Sequence, residues 1–167
     1  MRMNVKRLAR LGVLTAVALI IFIVELQIPN PFPIPGIKLG LANIVTVYAV
    51  YRFRAAEAAM LVGVRVTLGA VFSGNVTALL YSACGSVLCL LGMLLLRHVI
   101  DERHLWLASV FGALLHNTGL MAAALLVTQT PALLWYFPFL VVSGCLAGLF
   151  TGLCARLLLP RLERFRD

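Results

Sequence analysis

What most limits the fold of this chain is a recurrence, from end to end, of apolar stretches long enough to cross a hydrocarbon core about 30 Å thick. Six can be drawn, at residues 8–28, 39–51, 55–72, 76–96, 105–127 and 132–159. The second is short and follows a Pro-rich segment, so it reads as a helix that begins inside the membrane rather than at its edge. Composition points the same way. Of 167 residues, 62% are hydrophobic and 12% charged, against about 25% charged in a soluble domain, and mean hydropathy is +1.03. That leaves too little polar material to cover a water-exposed surface. The expectation is an all-α integral membrane bundle of six transmembrane helices, a single domain over residues 1–167 seated in a lipid bilayer.

The basic residues give this bundle a direction. With the N-terminus placed in the cytoplasm and six crossings, 12 of the 14 Lys and Arg fall on the inner side, as the positive-inside rule asks. Both termini are then cytoplasmic. The same distribution accounts for the net charge of +8 without a nucleic-acid partner, since the charge is sorted by topology rather than gathered on a phosphate-reading face. The first span carries Arg2, Lys6, Arg7 and Arg10 before it, like a secretory signal. Its apolar run is longer than a signal core and no small-residue cleavage site precedes Glu25, so it is expected to stay as a helix.

Several chemistries are excluded by what the chain lacks. It has two aspartates, Asp101 and Asp167, so it cannot build paired aspartate-rich motifs to hold magnesium diphosphate, and it has no Gly-x-x-x-x-Gly-Lys-Ser/Thr loop for a nucleotide. No catalytic residue is assigned. Cys84, Cys89, Cys145 and Cys154 all lie within spans without Cys-x-x-Cys spacing, and read as small packing residues rather than a metal site. No metal and no cofactor are expected.

Two basic residues escape the inner side, Lys38 at the start of span two and Arg65 within span three. An ionisable group at membrane depth costs a few kcal/mol and by default faces protein or a cavity. With Arg65 go Glu25 near the outer end of span one, Asn43, Asn75 and Tyr81, mostly in the outer half, and His116 and Asn117 near the middle of span five. One reading is an outward pocket for a small molecule, in which two cations against one carboxylate leave charge for an anionic group. The other is structural: Glu25 bridges Arg65 or Lys38, and the amides join helices. His116 likewise reads as a helix contact or as a pocket floor.

Residues 27–36, Gln-Ile-Pro-Asn-Pro-Phe-Pro-Ile-Pro-Gly, cannot form a helix or an interior strand because proline removes donors and fixes φ. They read as a stiff extended loop, either a lid over the pocket or a plain connector. Gly12 and Ala16, and Gly144, Gly148 and Gly152, follow a small-x-x-x-small pattern. The span-six stripe suits internal packing. The span-one pair, nearer the cytoplasmic surface, suits docking onto another membrane subunit.

Residues 35–44, Pro-Gly-Ile-Lys-Leu-Gly-Leu-Ala-Asn-Ile, together with Glu25, resemble the signature of the bacterial membrane family known as Gx transporter or heptaprenyl diphosphate synthase component I. The runs Arg65 to Gly69, Phe72 to Gly74, Leu80 to Ser82 with Gly85, and His116-Asn117 with Gly119 extend the likeness over nearly the whole chain. Leu120 departs from it, standing where the family pattern places Gln, which bears on substrate preference. That family is similar to the substrate-binding S components of energy-coupling factor (ECF) transporters. The resemblance implies a multi-pass protein of the bacterial cytoplasmic membrane that captures a small molecule from outside. It also implies that Gly12 and Ala16 dock an ECF coupling subunit linked to two ATPases. The synthase name implies instead a noncatalytic subunit in making the menaquinone side chain. An association of members with extracellular electron transfer implies a flavin or quinone link.

Overall fold

The computed structural model describes residues 5–27, 40–74, 76–101 and 104–163, and over these the chain is helical with no strand. The helices are α1 (Val5–Gln27), α2 (Asn43–Arg52), α3 (Ala55–Ser73), α4 (Val76–Leu96), α5 (Leu105–Thr128) and α6 (Phe137–Glu163), with a 3-10 turn, Pro131–Tyr136, before the last. Five of them are long and apolar enough to cross a membrane. The sixth, α2, has 10 residues, about 15 Å at 1.5 Å per residue, or half a hydrocarbon core. Six spans thus resolve into five full-length helices and one half-length helix, α2, in keeping with the shortness of the second stretch.

Local chemistry sets the ends. Glu57 caps the start of α3 by accepting the Arg54 N–H at 2.9 Å, and α3 stops at Gly74, whose φ of 62° disfavours any side chain. At the end of α5, Gln129 turns left-handed and its N–H donates to the Leu125 carbonyl. Pro131 follows. The apolar run expected from residue 132 is therefore not one continuous helix: the chain makes its 3-10 turn and α6 restarts at Phe137, with Pro138 in the first turn, where a missing N–H costs no intrahelical bond. The sequence of α2, Asn-Ile-Val-Thr-Val-Tyr-Ala-Val-Tyr-Arg, is rich in β-branched residues that form helices poorly in water. Surrounded by apolar helices it has no other way to satisfy its backbone.

Packing places α2 at the centre. It touches each of the other five helices, which follow one another around it in the order α1, α3, α4, α5, α6. Six of its residues are buried: Asn43, Val45, Thr46, Val47, Ala49 and Val50. The main core joins Val45, Val47, Ala49 and Val50 to Leu11 and Ala18 of α1, Leu61 and Val62 of α3, Cys89 and Met93 of α4 and Ala108 of α5. Helices α1 and α6 hold the two ends of this arc. Val13, Val17 and Ile20 of α1, and Val142, Leu146 and Phe150 of α6, point outward, a surface suited to lipid rather than to water.

Small residues set the tightest seam. A Cβ built on Gly148 would lie 2.6 Å from the Val110 Cα, one on Gly152 2.6 Å from the Trp106 Cα, and one on Gly144 2.7 Å from Asn117 Nδ2. The stripe on α6 is therefore filled by α5 itself, the internal role its spacing suggested. Across the same seam the Ser109 and Thr151 hydroxyls are 2.8 Å apart. Helices α4 and α5 approach as closely, since a Cβ on Gly119 would fall 2.8 Å from the Gly85 Cα.

Candidate functional site

Of the eight binding residues named from sequence, Lys38 and Asn75 lie outside the described residues. The other six, Glu25, Asn43, Arg65, Tyr81, His116 and Asn117, are all buried, and they come from five different helices. Burial of so much polarity in so apolar a bundle requires partners. The partners divide the six into smaller groups.

Glu25 and Asn43 meet around Gly40. The Glu25 carboxylate accepts the Gly40 N–H, Gly40 has a φ of 74°, and its carbonyl accepts the Asn43 N–H at 2.9 Å. A Cβ at Gly40 would sit 3.1 Å from the Asn43 side-chain nitrogen. Glycine is required here twice, for the left-handed backbone and for the close approach of the amide. The result brings a carboxylate to the positive end of α2, where the helix dipole favours it.

Arg65 is 5% exposed. Its guanidinium donates to Ser86 Oγ of α4 at 3.1 Å, while the Glu25 carboxylate is engaged with the Gly40 N–H. One turn further along α3, Gly69 receives the Phe22 ring of α1, whose nearest carbon would be 3.0 Å from a Cβ there.

Tyr81 packs in a separate small cluster with Leu120, Ala123 and Ala124 of α5. Leu120, the residue that departs from the family pattern, is thus beside a predicted binding residue and itself buried. His116 lies against α4, its ring 3.0 Å from where a Cβ on Gly85 would be. Asn117 turns the other way and donates to the Leu140 carbonyl of α6 at 2.8 Å, which fastens α5 to α6.

Two further polar groups belong to this region. Ser86 is the partner of Arg65. Thr46, one turn along α2 from Asn43, is 2% exposed, and its hydroxyl has no hydrogen-bond partner among the described residues. Thr15, Thr118 and Thr128 return their hydroxyls to carbonyls four residues back, the usual recourse in an apolar helix. The only signal of Thr46 in the sequence is a hydroxyl three residues after Asn43. Glu25 with Asn43, and Arg65 with Ser86, are two buried polar groupings in a medium of low dielectric, where hydrogen bonds to charged groups are strong.

The fold and this site define a class: a polytopic helical membrane protein with a buried polar cluster in the half of the bundle where α1 ends and α2 begins. The chain matches the family described as heptaprenyl diphosphate synthase component I over residues 14–158. It belongs to that family. No curated protein and no solved structure gives a significant match.

Proposed function

We infer that the chain is a substrate-binding component of a membrane uptake system, similar to an ECF S component, and that it captures a small anionic or amphipathic molecule from outside the cell. The observation that carries this reading is the burial of Arg65, whose guanidinium is held by Ser86 of a neighbouring helix. A bundle needs no guanidinium at that depth for stability, because an apolar residue of like volume serves as well. Arg65, with Lys38, would hold the anionic group, and Glu25 would orient them through its anchorage on Gly40. Asn43 and Asn75 would complete the pocket with Tyr81 and His116 at its margin, while Asn117, bonded to the Leu140 carbonyl, holds α6 against α5. In this reading both termini lie in the cytoplasm.

Energy for translocation would come from partner ATPases through a coupling subunit. In support of that docking, Gly12 and Ala16 lie on an exposed face of α1, and nothing comes within 4 Å of a Cβ built on Gly12. The family description favours a second reading, a noncatalytic membrane subunit of a prenyl diphosphate synthase, whose soluble partner would supply the missing aspartates.

Native mass spectrometry of the protein purified gently from its host separates the two. Recovery with a coupling subunit and ATPases, together with a retained small molecule lost in Arg65→Ala, supports capture. Recovery with a prenyl synthase supports the second reading. Loss of folded protein in Arg65→Ala, without a specific loss of ligand, assigns Arg65 a structural role.

A further inference from the structure

At the opposite end of the bundle, where α1 begins and α2 and α4 end, a cavity of about 440 Å³ is lined by Arg7, Arg52, Arg54, Arg97 and His98, with Tyr51 and Phe53 among its walls. No carboxylate is among its described lining residues. We propose that this cavity is an anion site that takes the phosphate-bearing headgroup of an acidic amphiphile at the membrane surface. The site is separate from the polar cluster around Arg65 and stands whether or not the capture reading holds.

Basic residues at this end also satisfy the orientation rule, which asks only that charge be on one side. It does not ask that four guanidiniums, from α1, α2 and the connections that follow α2 and α4, converge on one hollow. The walls of the hollow are tied in place. Tyr51 donates its hydroxyl to the Ile100 carbonyl at 3.1 Å, joining the end of α2 to the chain beyond α4. Arg7 of α1 pairs with Glu57 of α3 at 3.2 Å, and the same carboxylate accepts the Arg54 N–H. Phe53 stands edge-on to Tyr48, ring centres 6.3 Å apart.

The chemistry of the lining selects the ligand. All four formally charged residues of the lining are arginines, whose planar fork matches the oxygens of a phosphate in pairs, where lysine offers a point charge. The volume falls within the range of small-molecule sites, enough for a phosphate or diphosphate headgroup with its acyl or prenyl tail left in the bilayer. A shallow basic hollow at one end of a membrane bundle would face the headgroup layer, which in the cytoplasmic leaflet is rich in acidic lipids.

The test uses the full chain, delipidated in detergent and followed by native mass spectrometry with dioleoylphosphatidylglycerol, dioleoylphosphatidylcholine and inorganic diphosphate as probes. Phosphatidylglycerol is expected to be retained over phosphatidylcholine, and to bind about tenfold more weakly in R97Q and in R52Q. R156Q, which removes an exposed arginine of α6 outside the cavity, is expected to leave binding unchanged. R97K keeps the charge and so spares the fold while losing the fork; a severalfold loss there supports the site even where R52Q fails to fold. Displacement of phosphatidylglycerol by diphosphate makes the phosphate group alone the ligand, free or lipid-borne, whereas retention in its presence makes the lipid the ligand. Equal retention of the two lipids, or equal weakening in R156Q and R97Q, overturns the proposal.

Discussion

Replacing Gly148 with alanine adds one methyl group to the seam between α5 and α6. That methyl would lie 2.6 Å from the Val110 Cα, 3.0 Å from the Ser109 carbonyl oxygen and 3.1 Å from the Ala113 Cβ. Carbon atoms settle at about 3.5–4.0 Å, so α6 must withdraw by roughly 1 Å. Two of the three neighbours are backbone, so no rotamer change relieves the clash. Withdrawal would stretch the Ser109–Thr151 contact from its present 2.8 Å to roughly 3.8 Å, beyond hydrogen-bonding range. Overpacking costs about 1–3 kcal/mol and an interhelical hydrogen bond in a membrane protein is worth about 0.6, while alanine returns about 1 kcal/mol of helix preference. The expected net loss is about 0.6–2.6 kcal/mol. Gly12→Ala is the matched control, because no atom lies within 4 Å of its Cβ; it is expected to be neutral or to stabilise by up to about 1 kcal/mol. Unfolding by SDS in mixed micelles, followed by the fluorescence of Trp106 beside this seam and of Trp135, measures both. The reasoning is refuted if Gly148→Ala is as stable as the parent.

The remaining predictions follow from individual contacts. Thr46→Val removes a buried hydroxyl that has no partner among the described residues, and should raise stability by about 1 kcal/mol in the same unfolding assay; a loss of that size would show that the hydroxyl is engaged. Asn117→Ala deletes the donor to Leu140 and should cost about 0.6–1.7 kcal/mol; loss of a retained small molecule with no change in stability would place Asn117 in a binding site instead. Ser86→Ala removes a partner of the buried Arg65 guanidinium and should destabilise by about 1.5–3 kcal/mol, with Ser86→Thr recovering most of it; equal stability of Ser86→Ala and the parent would show that Arg65 relies on other partners.

The long helices were legible because a bilayer demands runs of about twenty apolar residues, and little else in a sequence produces them. The half-length of α2 was legible for the complementary reason, a short run behind a proline-rich stretch. The break at Pro131–Tyr136 was not, since hydropathy stays high across it and only the two prolines mark it. Within the site, sequence reading named buried residues on five helices but not their pairings. In α5 and α6 nearly every position is apolar, so no periodicity tells which face looks inward, and lipid solvates a leucine as well as the core does. Asn117 could therefore be placed at mid-depth but not assigned to Leu140, and Ser86 gave no sign of its role beneath Arg65. The α6 glycines were better markers, because close approach of helices leaves its record in small residues at every fourth position.

The central position of α2 bears on how the protein is made. A segment of 10 residues that includes Asn43 and Thr46 is too short and too polar for the insertion machinery to release into lipid as an independent span. Its neighbours α3, α4, α5 and α6 all leave the ribosome after it. The second helix to be synthesised thus packs on four helices that do not yet exist when it emerges, and its burial is complete only once they have closed round it. A nascent chain halted anywhere before α6 would carry its own central pillar unseated.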